Sequence, residues 1–176
     1  MNGGSIRRKD GIYEKEGLEG ESLKAYENII GTRGRIVGPF GALLHSPELA
    51  CLVGDTGAYI RFNSTIPNEL GEIAVLTTAS TLNCNFEWQA HSELARNAGI
   101  SEDIINAIHT NTNLEVLNEH QQLIYTYARE LLTQNRVSSD TYSNASKRFS
   151  TKELVDLTTT IGYYSMIASV LNAFEV

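Results

Sequence analysis

Leu82-Asn83-Cys84-Asn85-Phe86-Glu87-Trp88-Gln89-Ala90-His91 is the stretch on which the reading of this chain turns. Cys84, Glu87 and His91 are spaced by three and then four residues, so a helix lays all three along one face, with Trp88 beside them. Glu72 stands nineteen residues before His91, near the start of the apolar segment Leu70 to Leu82. If the two segments are antiparallel helices, Glu72 meets His91 across their contact. A carboxylate against an imidazole is a unit for moving protons, because it fixes the tautomer and raises the basicity of the ring.

Helical signals extend outward on both sides. Asn68 to Thr81 repeats apolar residues at 70, 73, 74 and 76, which predicts a buried helix. The next runs from Cys84 or Asn85 to Ala98 and ends at Gly99. Upstream, Ser22 to Ile30 reads as a short helix, and Gly31 to Gly41 as a loop. Ser46-Pro47-Glu48 is a helix start, carrying a helix to about Phe62 with Leu49, Leu52, Val53 and Tyr59 expected on its inner side. Downstream, Ser101 caps a helix through His109, Asn118 and Gln121 form a capping box, Ser138 starts a helix to about Phe149, and Ser150 and Glu153 form a second box. Strand alternation is absent. The expected class is all-α: a helical bundle in one domain, residues 21–176, with residues 1–20 as a polar arm.

Composition bounds the function. The 176 residues, 41% hydrophobic and 20% charged, suffice for one globular core. All three prolines, at 39, 47 and 67, precede the long helical half. The net charge of −7, with no basic cluster larger than Arg7-Arg8-Lys9, argues against nucleic acid or an anionic membrane as partner. Charges occupy the N-terminal stretch where a signal peptide would have its apolar core, so a cytoplasmic protein is expected. The two cysteines, 51 and 84, give no disulfide framework.

Each candidate has a bland alternative. Glu87 and His91 also fit a solvated i, i+4 pair. Cys84 fits a small core side chain as well as a nucleophile activated by a helix start and a protonated His91. Trp88 fits a pocket wall or the core. Glu72, set among Leu70, Ile73, Val75 and Leu76, is costly to bury unless paired, and otherwise reads as a solvent-facing acid near a helix start. Arg61, in Tyr59-Ile60-Arg61-Phe62, suits a substrate carboxylate or a surface salt bridge. Tyr163 and Tyr164 read as packing residues. His45, His109 and His120 read as local or surface residues, and no pair has metal-ligand spacing, so no metal is assigned.

At these residues the chain resembles the carboxymuconolactone decarboxylase family of the alkylhydroperoxidase D-like (AhpD-like) superfamily. The resemblance covers about Gly38 to the C-terminus. It is carried by Pro39-Phe40 with Leu43 to Ala50, by Tyr59 to Phe62, by Glu69-Leu70-Gly71-Glu72, and by Phe86-Glu87-Trp88-Gln89-Ala90-His91 followed by Ala95 and Gly99-Ile100-Ser101. It implies an all-helical fold whose central antiparallel pair lines the active site, and homo-oligomers, trimers or hexamers with a dimer as a further form. The antioxidant branch pairs a glutamate with a C-x-x-C motif and a histidine. Here Glu72 matches the glutamate, Cys84 the first cysteine and His91 the histidine. Glu87 stands in place of the second cysteine, and Phe86 in place of the histidine before it. Without that resolving thiol the dithiol cycle has no partner, unless Cys51 comes within about 7 Å of Cys84.

The residues alone point to a proton-transfer or thiol site; the resemblance implies a decarboxylase-like lyase acting on a small molecule. Glu72 and His91 would transfer the proton, Glu87 would be a further acid or base, Arg61 and Trp88 would be substrate contacts, and no cofactor would be needed. The alternatives are a peroxiredoxin-like antioxidant working through Cys84 alone and a non-catalytic oligomeric member of the family.

Overall fold

The apolar periodicities become helices in the expected order. The computed structural model describes residues 10–176, and among these are nine α-helices, a short 3-10 turn at Leu114–Val116 and no strand. The helices are α1 (Gly20–Arg33), α2 (Pro39–Leu43), α3 (Pro47–Phe62), α4 (Asn68–Thr81), α5 (Asn85–Asn97), α6 (Glu102–Thr110), α7 (Glu119–Gln134), α8 (Ser139–Ser146) and α9 (Thr151–Phe174). The first nine residues, including Arg7-Arg8-Lys9 and half of the expected arm, lie outside the described part. By internal contact the chain groups into two compact units. One reaches to Tyr59 and takes in Ser169–Val176; the other is Ile60–Ala168.

In the first unit, Ala25, Ile29, Phe40, Leu43 and Leu44 are buried with Ala50 and Val53 of α3. Arg33 lies 4.3 Å over the Phe40 ring and donates to the Gly54 carbonyl at 3.1 Å. Two expectations need correction here. The stretch read as a loop from Gly31 to Gly41 contains the start of α2, where Pro39 occupies the first helical turn and Gly38 before it takes positive φ. The inner face of α3 is also different. Val53 is buried, but Leu49, Leu52 and Tyr59 are 47%, 60% and 43% exposed, and the buried positions are Ala50, Val53, Gly54 and Gly57. Small residues occupy that face because large ones reach in to meet it. A Cβ on Gly54 would already touch Phe40 and Ile29, at 3.7 and 3.9 Å.

The second unit is built around α4, which is buried on nearly every side between α5 and α7. Its two interior threonines cost little. Thr77 and Thr78 return their hydroxyls to the carbonyls of Ile73 and Ala74, at 2.6 and 2.8 Å. Ile73 and Leu76 meet Ile105, Ile108, Ile124, Leu157 and Ile161 in one apolar cluster. The caps read from sequence are in place: Ser101 accepts from the Ile104 amide, Asn118 and Gln121 close a capping box, and Ser150 and Glu153 do the same for α9. Helix α8 stops at Ser146, short of the expected Phe149. With 24 residues, α9 is long and apolar enough in composition to cross a bilayer, but more than half of that apolar window is buried within the fold.

The turn leading into α4 is pinned by Asp156 of α9. Its carboxylate accepts from the Thr65 amide (2.8 Å), the Thr65 hydroxyl (2.7 Å) and Lys152 (3.0 Å). Burial alone would raise the Asp156 pKa, but these donors outweigh it and bring the group down from 3.8 to about 2. A depressed folded-state pKa contributes stability above the unfolded value and loses it as pH falls through about 2. Asp156→Asn should therefore cost on the order of 1–2 kcal/mol at neutral pH. Urea melts of the two proteins should converge as pH is lowered from 4 towards 2; a gap unchanged over that range would refute the carboxylate's role.

Candidate active site

The hairpin joining α4 to α5 sets the register of the site. Asn83 takes the left-handed conformation (φ 52°) that asparagine tolerates better than most residues. The Cys84 amide then bonds back to the Ala79 carbonyl at 2.9 Å, and the Cys84 carbonyl accepts from the Trp88 amide at 3.0 Å, opening α5. The chain turns back on itself, and Glu72 on α4 faces His91 on α5.

Glu72, Glu87 and His91 are 9%, 6% and 6% exposed, so neither the solvated pair nor the solvent-facing acid describes them. His91 Nδ1 is 2.8 Å from Glu72 Oε2, and its Nε2 is 3.3 Å from Glu87 Oε2. Both ring nitrogens thus face carboxylates, an arrangement satisfied by the doubly protonated ring. Burial pulls the imidazole pKa down, but hydrogen bonds to Glu72 and Glu87 and their charges prevail and raise it from 6.5 to about 9. At neutral pH the group is an imidazolium between two carboxylates.

Beside it is a cavity of about 450 Å³, within the range of small-molecule sites. Its walls include Arg61, Asn68, Glu72, Asn97, Thr160 and Tyr164. Of the proton-transfer residues, Glu72 alone is among its lining residues; His91 and Glu87 stand behind it. Arg61 is exposed, lies 5.4 Å from the centre of the Phe62 ring and makes no ion pair among the described residues.

The remaining candidates lie elsewhere. Cys84 is 1% exposed and does not line the cavity. Burial pushes its thiol pKa up and the Glu87 charge adds to this, against the opposing pull of the Glu87 and Phe86 amides. Trp88 packs against the apolar cluster and stacks on His109 at 4.3 Å, away from the cavity lining. His45 binds the Asp10 carbonyl at 2.9 Å, and His120 stands edge-on to Phe149. Sequence reasoning passed over the cavity walls contributed by α9. Thr160 and Tyr164 are four apart, and Tyr164 follows Leu157 and Ile161 on the buried stripe. That spacing placed Tyr164 inward but gave no sign of a void beside it.

The carboxymuconolactone decarboxylase family model matches residues 47–113. The family resemblance therefore holds over the segment that carries Arg61, Glu72, Cys84, Glu87 and His91. Three solved structures share the fold, all below the identity at which more than fold can be inferred. An uncharacterized peroxidase-related protein from Silicibacter sp. TM1040 has a TM-score of 0.75 at 15% identity, over 99% of this chain and 94% of its own. The debrominase Bmp8 has 0.75 at 13%, over 97% and 90%. ATU0492 from Agrobacterium tumefaciens, a protein of unknown function ascribed to AhpD-type antioxidant defence, has 0.68 at 18%, over 79% and 96%. No curated protein matches the chain by sequence. The fold is thus AhpD-like, and Glu87, which the sequence resemblance sets in place of a second cysteine, faces His91 Nε2.

A raised folded-state pKa contributes stability that is fully present below the unfolded value of 6.5 and is lost as pH rises through about 9. The unfolding free energy of the wild type should fall by on the order of 2–3 kcal/mol relative to His91→Gln over that interval. Nitrogen NMR of the His91 ring should show both nitrogens protonated at neutral pH; a ring that titrates near 6.5 would refute the assignment.

Proposed function

We propose that this protein is a cofactor-independent lyase of the carboxymuconolactone decarboxylase type, acting on a small carboxylated lactone or keto acid. The observation that carries this reading is the Glu72–His91–Glu87 chain with one end, Glu72, on the cavity. The family match over residues 47–113 supports an enzyme-like function on a small molecule.

The chemistry follows from the order of the groups. Loss of CO2 sends the electron pair of the breaking C–C bond into a conjugated carbonyl system, and the resulting carbanion must then be protonated. His91 holds the proton. It passes along the 2.8 Å contact from Nδ1 to Glu72, whose carboxyl delivers it to the substrate carbon. Glu87 keeps its hold on the other ring nitrogen, so the imidazole remains oriented and correctly protonated when it becomes neutral. The pair is then recharged from water.

Charge narrows the substrate. Two carboxylates, one imidazolium and the Arg61 guanidinium cancel at the site, so the cavity does not repel a monoanion although the chain as a whole carries −7. Arg61, free of ion pairs among the described residues, anchors the substrate carboxyl or a second polar group. A thiol mechanism is poorly served, because Cys84 is sealed and held in its protonated form.

The test is CO2 release from a panel of unsaturated lactone acids and β-keto acids. Glu72→Gln, which keeps the shape and hydrogen-bonding capacity of the side chain, should lower kcat by about 10²–10⁴. Cys84→Ser should leave it within about threefold, as expected of a residue outside the reacting groups. Peroxide consumption with a thiol reductant, measured before and after cysteine alkylation, is the counter-test. Turnover that disappears on alkylation would replace this reading with a Cys84 peroxidase.

A further inference from the structure

Tyr164 lines the same cavity as Glu72, although only 5% of its surface is exposed. Its ring stands edge-on to His91, with centroids 4.8 Å apart and planes at 82°, and edge-on to Tyr163 at 5.2 Å and 85°. These contacts fix the ring and leave the hydroxyl. That hydroxyl makes no hydrogen bond to any described residue, and it is not among the polar atoms sealed from solvent. Buried tyrosines ordinarily give their hydroxyl a partner. This one has none among the described residues, and its side chain lines a void.

The surrounding charges decide its protonation state. Burial raises its pKa far above the ordinary phenol value, and the Glu87 and Glu72 carboxylates and the neighbouring Tyr163 add to the effect. Arg61 is the one group acting the other way. The phenol therefore stays neutral and can donate, and the cation nearby favours whatever negative charge the donor meets. The cavity thus holds a proton-delivering carboxyl, a neutral hydroxyl donor and a guanidinium. Carbanion chemistry next to a carbonyl needs such a set, because the charge it creates rests on oxygen.

We propose that Tyr164 is a catalytic hydrogen-bond donor that holds the enolate oxygen formed during the reaction, so that the substrate is a carbonyl compound whose leaving carboxylate is conjugated to that carbonyl. The proposal rests on the Glu72–His91 reading and deepens it. As the C–CO2⁻ bond breaks, its electron pair moves through the conjugated system onto the carbonyl oxygen and CO2 departs. Tyr164 donates to that oxygen without surrendering its proton. The pair then returns to carbon, which takes the proton from Glu72. A hydroperoxide substrate, which forms no enolate, has no use for this donor.

The probe is α-angelica lactone, a β,γ-unsaturated γ-lactone that reaches the same kind of dienolate by losing a proton rather than CO2. Deuterium uptake from D2O is followed by NMR for wild type, Tyr164→Phe and Glu72→Gln. Tyr164→Phe keeps the ring contacts with His91 and Tyr163, so a lost fold is not the expected cause of any change. It should slow exchange by about 10²–10³ through kcat, with KM little altered. Exchange within about twofold of wild type would overturn the role of Tyr164, while a slow Glu72→Gln would still uphold the proton-transfer site. A second measurement needs no turnover: binding of 4-nitrophenolate, a planar oxyanion, to Glu72→Gln, in which the repelling carboxylate is gone. It should bind about tenfold or more tightly than to the Glu72→Gln/Tyr164→Phe double variant. Equal binding, or none to either, would overturn the donor whether or not the lactone is a substrate.

Discussion

An imidazolium held out of water between two carboxylates is the constraint to which the rest of this structure answers. Each of the three charges alone would be expensive to bury, by several kcal/mol even after relaxation. Together they are tolerable only if the donors meet the acceptors closely. That requirement fixes the register of α4 against α5, because a slip of one residue on either helix would turn Glu72 or His91 away by about 100°. The tight turn with Asn83 in the left-handed region and the Cys84 amide bonded to Ala79 makes the required register the one that forms. The wide apolar surround of α4, with Ile73 and Leu76 fully buried, then excludes the water that would otherwise weaken the triad.

The same energetics explain why a carboxylate, rather than a smaller polar residue, stands at position 87. Had His91 a single acidic neighbour, its outer nitrogen would be a buried donor without an acceptor. Glu87 Oε2 lies 3.3 Å from that nitrogen and brings a second negative charge, so the ring stays cationic although burial opposes it. At Cys84, three residues earlier, burial is the main influence that disfavours a thiolate, and the Glu87 charge adds to it while the Glu87 and Phe86 amides oppose it.

Much of this was legible in the sequence, for reasons that can be named. Periodicity places α4 and α5, and capping residues such as Ser101, Asn118 and Ser150 place helix starts, because both depend on residues close in the chain. A carboxylate amid Leu70, Ile73, Val75 and Leu76 called for a partner if buried, and His91 was that partner only on the condition that the two helices run antiparallel, which the turn at Asn83 supplies. The inner face of α3 was not legible. Hydrophobicity pointed to Leu49, Leu52 and Tyr59, whereas the buried positions are Ala50, Val53, Gly54 and Gly57, and at Gly54 Phe40 and Ile29 approach so closely that a small residue suits the contact. Helix α2 was hidden for a similar reason: its glycine and proline signal a loop, and only the packing of Phe40 and Leu43 makes a turn of helix worth forming. Cavities are the extreme case. A void is a property of what several elements fail to fill, so Tyr164 carries the ordinary pattern of a core residue whether or not space lies beside it.

That distinction bears on how the site is divided between chemistry and structure. Residues in the triad hold one another, so changing any of them alters burial, charge and orientation at once, and the loss of His91 would leave two carboxylates facing each other in the interior. Residues on the cavity wall are under no such bond. Arg61 has no ion pair, and the Tyr164 hydroxyl has no hydrogen-bond partner, among the described residues. Arg33 Nε is the one sealed polar atom without a partner among the described residues, whereas Arg61 and the Tyr164 hydroxyl are open to the cavity or to solvent and carry no protein partner there. Stability accounts for the triad and the turn that aligns it. It does not set the side chains of the cavity wall, and on the proposed reading Tyr164 and Arg61 stand where a substrate that develops negative charge on oxygen would meet them.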